Sequence, residues 1–280
     1  MNYKKLIGIA TLGFVLAACS STPTPEAELA AATIYFCNGL EATIQGGPLA
    51  DVLNGDPNAA DVIVGLGGND IINGFGGDDT ICGGDGNDTI RGGNGVDWIH
   101  GEDGNDRIYT GLANGGVTHN RVHGGLGNDR VYGDAEIDIV SDSNGINFMY
   151  GYGGNDHLTG GNGVDTIRGG TGNDYMGGGS NNAFSGNDLL YGEDNDDTLY
   201  GYGGDDTLEG GSGSDNLYGG NDDDDLRGGN GRDRLFGENG NNDNLFGGDG
   251  FDTLDGGPGN NDSCDGGVGL TAITIGTCEN

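Results

Sequence analysis

The chain has 280 residues, of which 65 are Gly and 45 are Asp or Glu against only 10 Lys or Arg, giving a formal net charge of −35. So large a negative surplus excludes nucleic acid as a partner, because phosphate binding draws on Lys and Arg, and points instead to cations. The Gly-X-Y period of collagen is absent, and regularly placed apolar residues set the chain apart from simple disorder.

Residues 1–18 read as an export signal. Lys4 and Lys5 supply a positive start, and Leu6 to Leu16 is an apolar run too short to span a bilayer. The run ends in Leu16-Ala17-Ala18-Cys19, which resembles the lipobox of bacterial lipoproteins. That resemblance implies acylation of Cys19 and contact with a membrane only through the lipid. Ser20, rather than Asp, follows the cysteine, which resembles outer-membrane sorting in double-membrane bacteria. The other reading is an ordinary secretory signal cut near Ala18. Residues 19–32, rich in Ser, Thr, Pro and Glu, look like a flexible tether.

Residues 33–64 are expected to form an N-terminal cap with degenerate repeats. From residue 65 the chain falls into nines: GLGGNDIIN, GFGGDDTIC, GGDGNDTIR, GGNGVDWIH and GEDGNDRIY cover residues 65–109. Weaker copies start near Gly46, and the register runs on to residue 262. Position six is Asp in nearly every copy. Position eight is aliphatic without a polar interruption, from Leu53 and Ile63 through Val122, Met149 and Met176 to Leu254. Five-residue insertions near 110–114 and 178–182 shift the phase, and the pattern recovers, so they are expected to bulge from turns.

Positions one to six, rich in Gly and closed by Asp, predict a turn. Positions seven to nine predict a three-residue strand in which only position eight points inward. One nonapeptide cannot bury enough to fold alone, whereas two make a coil and stacked coils make two parallel sheets. About 23 nonapeptides give about 11 coils and a rod about 50–55 Å long at ~4.8 Å per coil.

With Cys19 assigned to lipid, Cys37, Cys82, Cys264 and Cys278 remain. Four cysteines allow three pairings. Proximity selects Cys37–Cys82 and Cys264–Cys278, one staple at each end of the array, the second in a C-terminal cap at 263–280. Disulfides require an oxidising compartment.

The aliphatic core of such a rod is thin, and its Asp residues recur every coil. Neighbouring charges ~4.8 Å apart repel by about 1 kcal/mol in water and ~3 kcal/mol at an effective dielectric of 20. The metal-free chain is therefore expected to be unfolded or molten. A hard cation held by carboxylates and turn carbonyls reverses this; calcium tolerates such flexible all-oxygen sites better than magnesium, zinc or copper.

The nonapeptide resembles G-G-x-G-x-D-x-U-x, the calcium-binding repeat of RTX (hemolysin-type) proteins. The resemblance covers about residues 46–265. It implies an all-β fold, a right-handed parallel β-roll (β-solenoid), with several Ca2+ ions between turns on the same side. Carried over position by position, the implied ligands are Asp70, Asp79, Asp88, Asp97, Asp106, Asp129, Asp156, Asp165, Asp174, Asp188, Asp197, Asp206, Asp215, Asp233 and Asp252. The pattern fails at Asn120 and Asn147, where no carboxylate is available, and Asp138 and Asp224 lack Gly at position four.

Little else carries chemistry. His119 and His123 flank an irregular repeat and read as surface residues, with His123 outward. Neither a G-x-S-x-G elbow nor an H-E-x-x-H motif occurs, so no catalytic residue is assigned and the chain is expected not to be an enzyme. Tyr200, Tyr218 and Phe236 recur every 18 residues and predict an outward row, as do Tyr109, Tyr132 and Tyr150 if the first insertion loops out. Such rows stabilise strands or bind glycans. The expectation is a calcium-binding structural or adhesive protein at the cell surface. A glycan- or matrix-binding adhesin is the alternative, and a polysaccharide-acting enzyme ranks below it.

Overall fold

The computed structural model describes residues 34–112, 119–179, 186–267, 273–274 and 278; the signal segment, Cys19 and the tether lie outside them. The described residues form only strands and turns. Two parallel sheets face each other, one of 12 strands and one of 13, and the chain alternates between them strand by strand, so that each coil adds one strand to each sheet. Strand 62–67 pairs with 80–85, which pairs with 98–103, while 71–76 pairs with 89–94 in the opposite sheet. The chain is thus a parallel β-solenoid of about 12 coils, slightly longer than the repeats alone predict, because short strands at 44–45 and 273–274 extend one sheet at its two edges.

Position eight builds the core. Ile63, Ile72, Ile81 and Ile90 through to Leu254 form one continuous buried stack between the sheets. Neighbours along each sheet repeat the same residue type towards the two ends, as Ile81 does with Ile99 and Leu208 with Leu226, and are mixed in the middle, where Val131, Met149 and Ile167 follow one another. β-Branched aliphatics thus dominate the first half of the stack and leucines the second.

The strands differ from the three-residue expectation. Many run six residues, from position seven through position three of the next nonapeptide, as in 89–94 and 216–221. Alternation along a six-residue strand sends position one inward as well as position eight. The Thr89–Asn94 strand buries Ile90 and Gly92 and exposes Arg91. The extra reach comes from position two. It takes a positive φ whether it is Gly84 or Gly93, or a bulky residue such as Phe75, Glu102 or Tyr202, and this turns the corner after the strand has paired further than its apolar pattern indicates.

Both insertions leave the stacking intact. Residues 107–109 pair with 130–132, and 166–171 with 189–194, so the extra residues are excluded from the ladder. Bridges join Cys37 to Cys82 and Cys264 to Cys278, as proximity predicted. At the first end, Cys37 lies in a small hairpin that packs with Val64 and Cys82.

Candidate metal centre

The position-six aspartates enter the turns in two files. Asp70, Asp88, Asp106, Asp129, Asp165, Asp188 and Asp206 lead into one sheet. Asp79, Asp97, Asp156, Asp174, Asp197, Asp215, Asp233 and Asp252 lead into the other. All fifteen are buried, none more than 3% exposed.

The two carboxylate oxygens have different surroundings. Oδ1 accepts the backbone N–H of the aspartate one coil earlier: Asp70 donates to Asp88 (2.7 Å), Asp88 to Asp106 (2.8 Å) and Asp197 to Asp215 (2.8 Å). Oδ2 of each buried carboxylate, from Asp70 and Asp79 through Asp233 and Asp252, has no hydrogen-bond partner. It faces position one of its own nonapeptide. A Cβ on Gly83 would collide with Asp88 Oδ2 and the Gly101 carbonyl oxygen, and one on Gly201 with Asp206 Oδ2 and the Gly219 carbonyl oxygen. Glycine at position one therefore keeps open a small cradle bounded by an orphaned carboxylate oxygen and a carbonyl oxygen, two acceptors with no donor between them.

Such a cradle is electrostatically incomplete. Burial is the main force that pushes carboxyls such as Asp106, Asp188 and Asp197 up from the usual 3.8, the bond to the neighbouring N–H pulls them back, and adjacent aspartates raise them again. The result is about 6 for Asp79, Asp88 and Asp165, about 7 for Asp97 and Asp206, and about 8 for Asp106, Asp156, Asp188 and Asp197. Among the described residues no three Cys, His, Asp or Glu side chains converge on one point. A metal here must draw its other ligands from backbone oxygens, and an all-oxygen set of mixed charge fits calcium.

Several residues beyond the sequence-derived set join the same files. Asp138, Asp224, Asp243 and Asp262 are equally buried, and the chain of N–H to carboxylate bonds runs through Asp224, Asp243 and Asp262. Asp222 adopts the positive φ of the missing glycine, which is why Asp224 stays in register. One-residue insertions displace Asp243 and Asp262 from the nine-residue count without displacing them in space. Asn120 and Asn147 also keep their places, accepting from Asp97 (3.0 Å) and Asp129 (2.9 Å). Their amide nitrogens point where Oδ2 would be: Asn147 donates to the Gly160 carbonyl (3.3 Å) and Asn120 to the Gly111 carbonyl (2.9 Å). The amide supplies the donor that the aspartate cradles lack.

Position five forms a second ladder with the opposite sense, unforeseen in the sequence. Asn69 Oδ1 accepts the N–H of Asn87 one coil later (2.9 Å), and Asn87 that of Asn105 (2.8 Å). The run of Asn and Asp at position five was its signal. The outward rows exist as predicted: Tyr109, Tyr132 and Tyr150 stack at 4.9 and 5.5 Å, and Tyr200, Tyr218 and Phe236 at 4.7 and 5.1 Å. His123 is on the outer face, as expected, but half-buried by its neighbours. It lies between the hydroxyls of Ser141 (3.1 Å) and Ser143 (3.0 Å), with His100 against it and His119 elsewhere, beside Arg121.

No curated protein matches the chain. The family model of the RTX calcium-binding nonapeptide repeat matches in successive abutting or overlapping segments from residue 58 to residue 269, which is more than half the chain. With cradles at the spacing the repeat dictates and a matching model over most of its length, this chain belongs to the RTX calcium-binding nonapeptide repeat family.

Proposed function

We propose that the chain is a calcium-dependent structural β-roll that folds on meeting calcium outside the cell and serves surface architecture or adhesion. The observation that carries this reading is the file of buried Oδ2 atoms without a hydrogen-bond donor, most of them facing a carbonyl oxygen across a position-one glycine. Calcium between successive turns would join acceptor to acceptor and so couple metal binding to folding. Position-six aspartates, including Asp224, Asp243 and Asp262, would hold it together with turn carbonyls. Export and acylation at Cys19 would keep the roll on the cell surface, and the chain is read as non-enzymatic.

Calcium titration of the purified chain, followed by far-ultraviolet circular dichroism, tests the reading. The β signal should appear cooperatively with calcium and vanish with chelator. Equal sheet content and melting temperature in the two conditions would overturn it.

A glycan-binding surface is the second reading. The stacked rings turn their faces to one another and only their edges outward, which supports a stabilising role. One row, however, ends at Phe236, beside a shallow depression lined by Tyr218, Glu238, Asn239, Asp255 and Pro258. Loss of glycan-array binding in a Tyr218→Ala/Phe236→Ala double variant that still folds with calcium would favour this reading.

A further inference from the structure

Between Gly65 and Gly256, position one is Gly in every nonapeptide except two, where it is Thr110 and Asp142. Those two are also the only ones in which position six is Asn, namely Asn120 and Asn147. The cradle geometry explains the pairing. A side chain at position one would strike Oδ2 of a position-six aspartate, so it is accommodated only where an amide has replaced that carboxylate and closed onto a carbonyl.

The nonapeptide 142–150 goes further: it keeps one carboxylate but carries it at position one. There Asp142 reaches the cradle of the preceding coil. The space in front of Gly124, which a Cβ would fill, is bounded by Asp129 Oδ2 and Asp142 Oδ2 instead of by one carboxylate and one carbonyl. Asp129 is fully buried and Asp142 is 8% exposed, no donor group reaches either Oδ2, and the two carboxyls are close enough to hydrogen-bond each other when one is protonated. Two carboxylates thus face one point inside the roll, while Asn147 leaves the adjoining cradle without a charge.

Resting on the calcium-binding reading above, we propose that Asp129 and Asp142 together hold one divalent cation in a second class of site, built from positions six and one. Ligand charge tunes calcium affinity, so this site fills before the single-carboxylate sites and empties after them. The ion there pins the middle of the rod.

The test is equilibrium dialysis of the full folded chain against buffered, stepwise lower free calcium, with radioactive calcium as the probe. Wild type should retain one ion per chain at free calcium at least tenfold below that at which the others leave. Asp142→Gly, which restores the family's residue, and Asp142→Asn should each lose that ion while the remaining sites stay unchanged. A wild-type chain without a tight single ion, or variants that retain it, would overturn the proposal. So would a neutral carboxylic acid band in the infrared spectrum of the calcium-loaded protein that disappears in Asp142→Asn, since a shared proton would then bridge the pair. A chain that binds no calcium at all would instead bring down the calcium reading itself.

Discussion

A position-six carboxylate divides its work between its oxygens: Oδ1 ties the coil to its predecessor and Oδ2 waits in the cradle. Asp106 and Asp188 titrate near 8 in the fold against an ordinary 3.8. Between those values the folded chain holds more protons than the unfolded one, so metal-free stability falls as pH rises through that window. In chelator, the β signal should therefore strengthen as pH is lowered from about 8 to about 5. In calcium, protons compete with the ion and the midpoint for calcium should rise over the same range. Circular dichroism against pH, with and without calcium, reads both slopes, and a chelated protein indifferent to pH would contradict them. The cradle's wall is as specific as its carboxylate. Gly201→Ala sets a methyl against Asp206 Oδ2 and the Gly219 carbonyl. It should destabilise the calcium-loaded fold by about 1–3 kcal/mol, the range for overpacking. Gly67→Ala meets nothing closer than 3.7 Å and is the neutral control. Calcium midpoints of the two variants make the comparison.

Most strands of the roll carry one inward aliphatic and, at position nine on the outer face, a ring or polar group, and several of these meet a counterpart in the next coil. Tyr218 lies between Tyr200 and Phe236, nearly parallel to both. Tyr218→Ala removes two stacked pairs, each worth about 0.5–1.5 kcal/mol beyond area. It should lower the melting temperature in calcium and leave the number of bound ions unchanged. The inward stack, the Asp files and the outer rows were legible in the sequence because each repeats one residue type at a fixed position. What escaped has physical reasons. Strand length depends on backbone pairing by positions one to three, which are mostly glycine and leave no apolar mark. The inward aim of position one is invisible when the residue has no side chain. Asp243 and Asp262 were lost to a strict count of nine, although the turns absorb one extra residue without moving the carboxylate. Asn120 and Asn147 looked like failures because only charge was considered, whereas hydrogen bonding keeps them in the ladder.

Over the whole rod each coil touches mainly its neighbours, so the ends carry the least support. The Cys37–Cys82 bridge closes 45 residues and the Cys264–Cys278 bridge 14. Loop-closure entropy makes them worth about 4 and about 3 kcal/mol respectively. A Cys37→Ser/Cys82→Ser double variant should therefore unfold at a lower temperature in calcium than Cys264→Ser/Cys278→Ser. The reverse order would show that native-state contacts at the ends outweigh chain entropy.

The position-six ladder gives the rod a direction. Along position six, an earlier coil presents an N–H and the following coil brings the oxygen that receives it. A chain that leaves a pore amino end first therefore always has a finished turn offering donors to the turn still emerging. Assembly can follow threading step for step, like a zip whose slider travels one way, and at position six the growing tip exposes N–H groups that water can satisfy in place of carboxylates stranded in the interior.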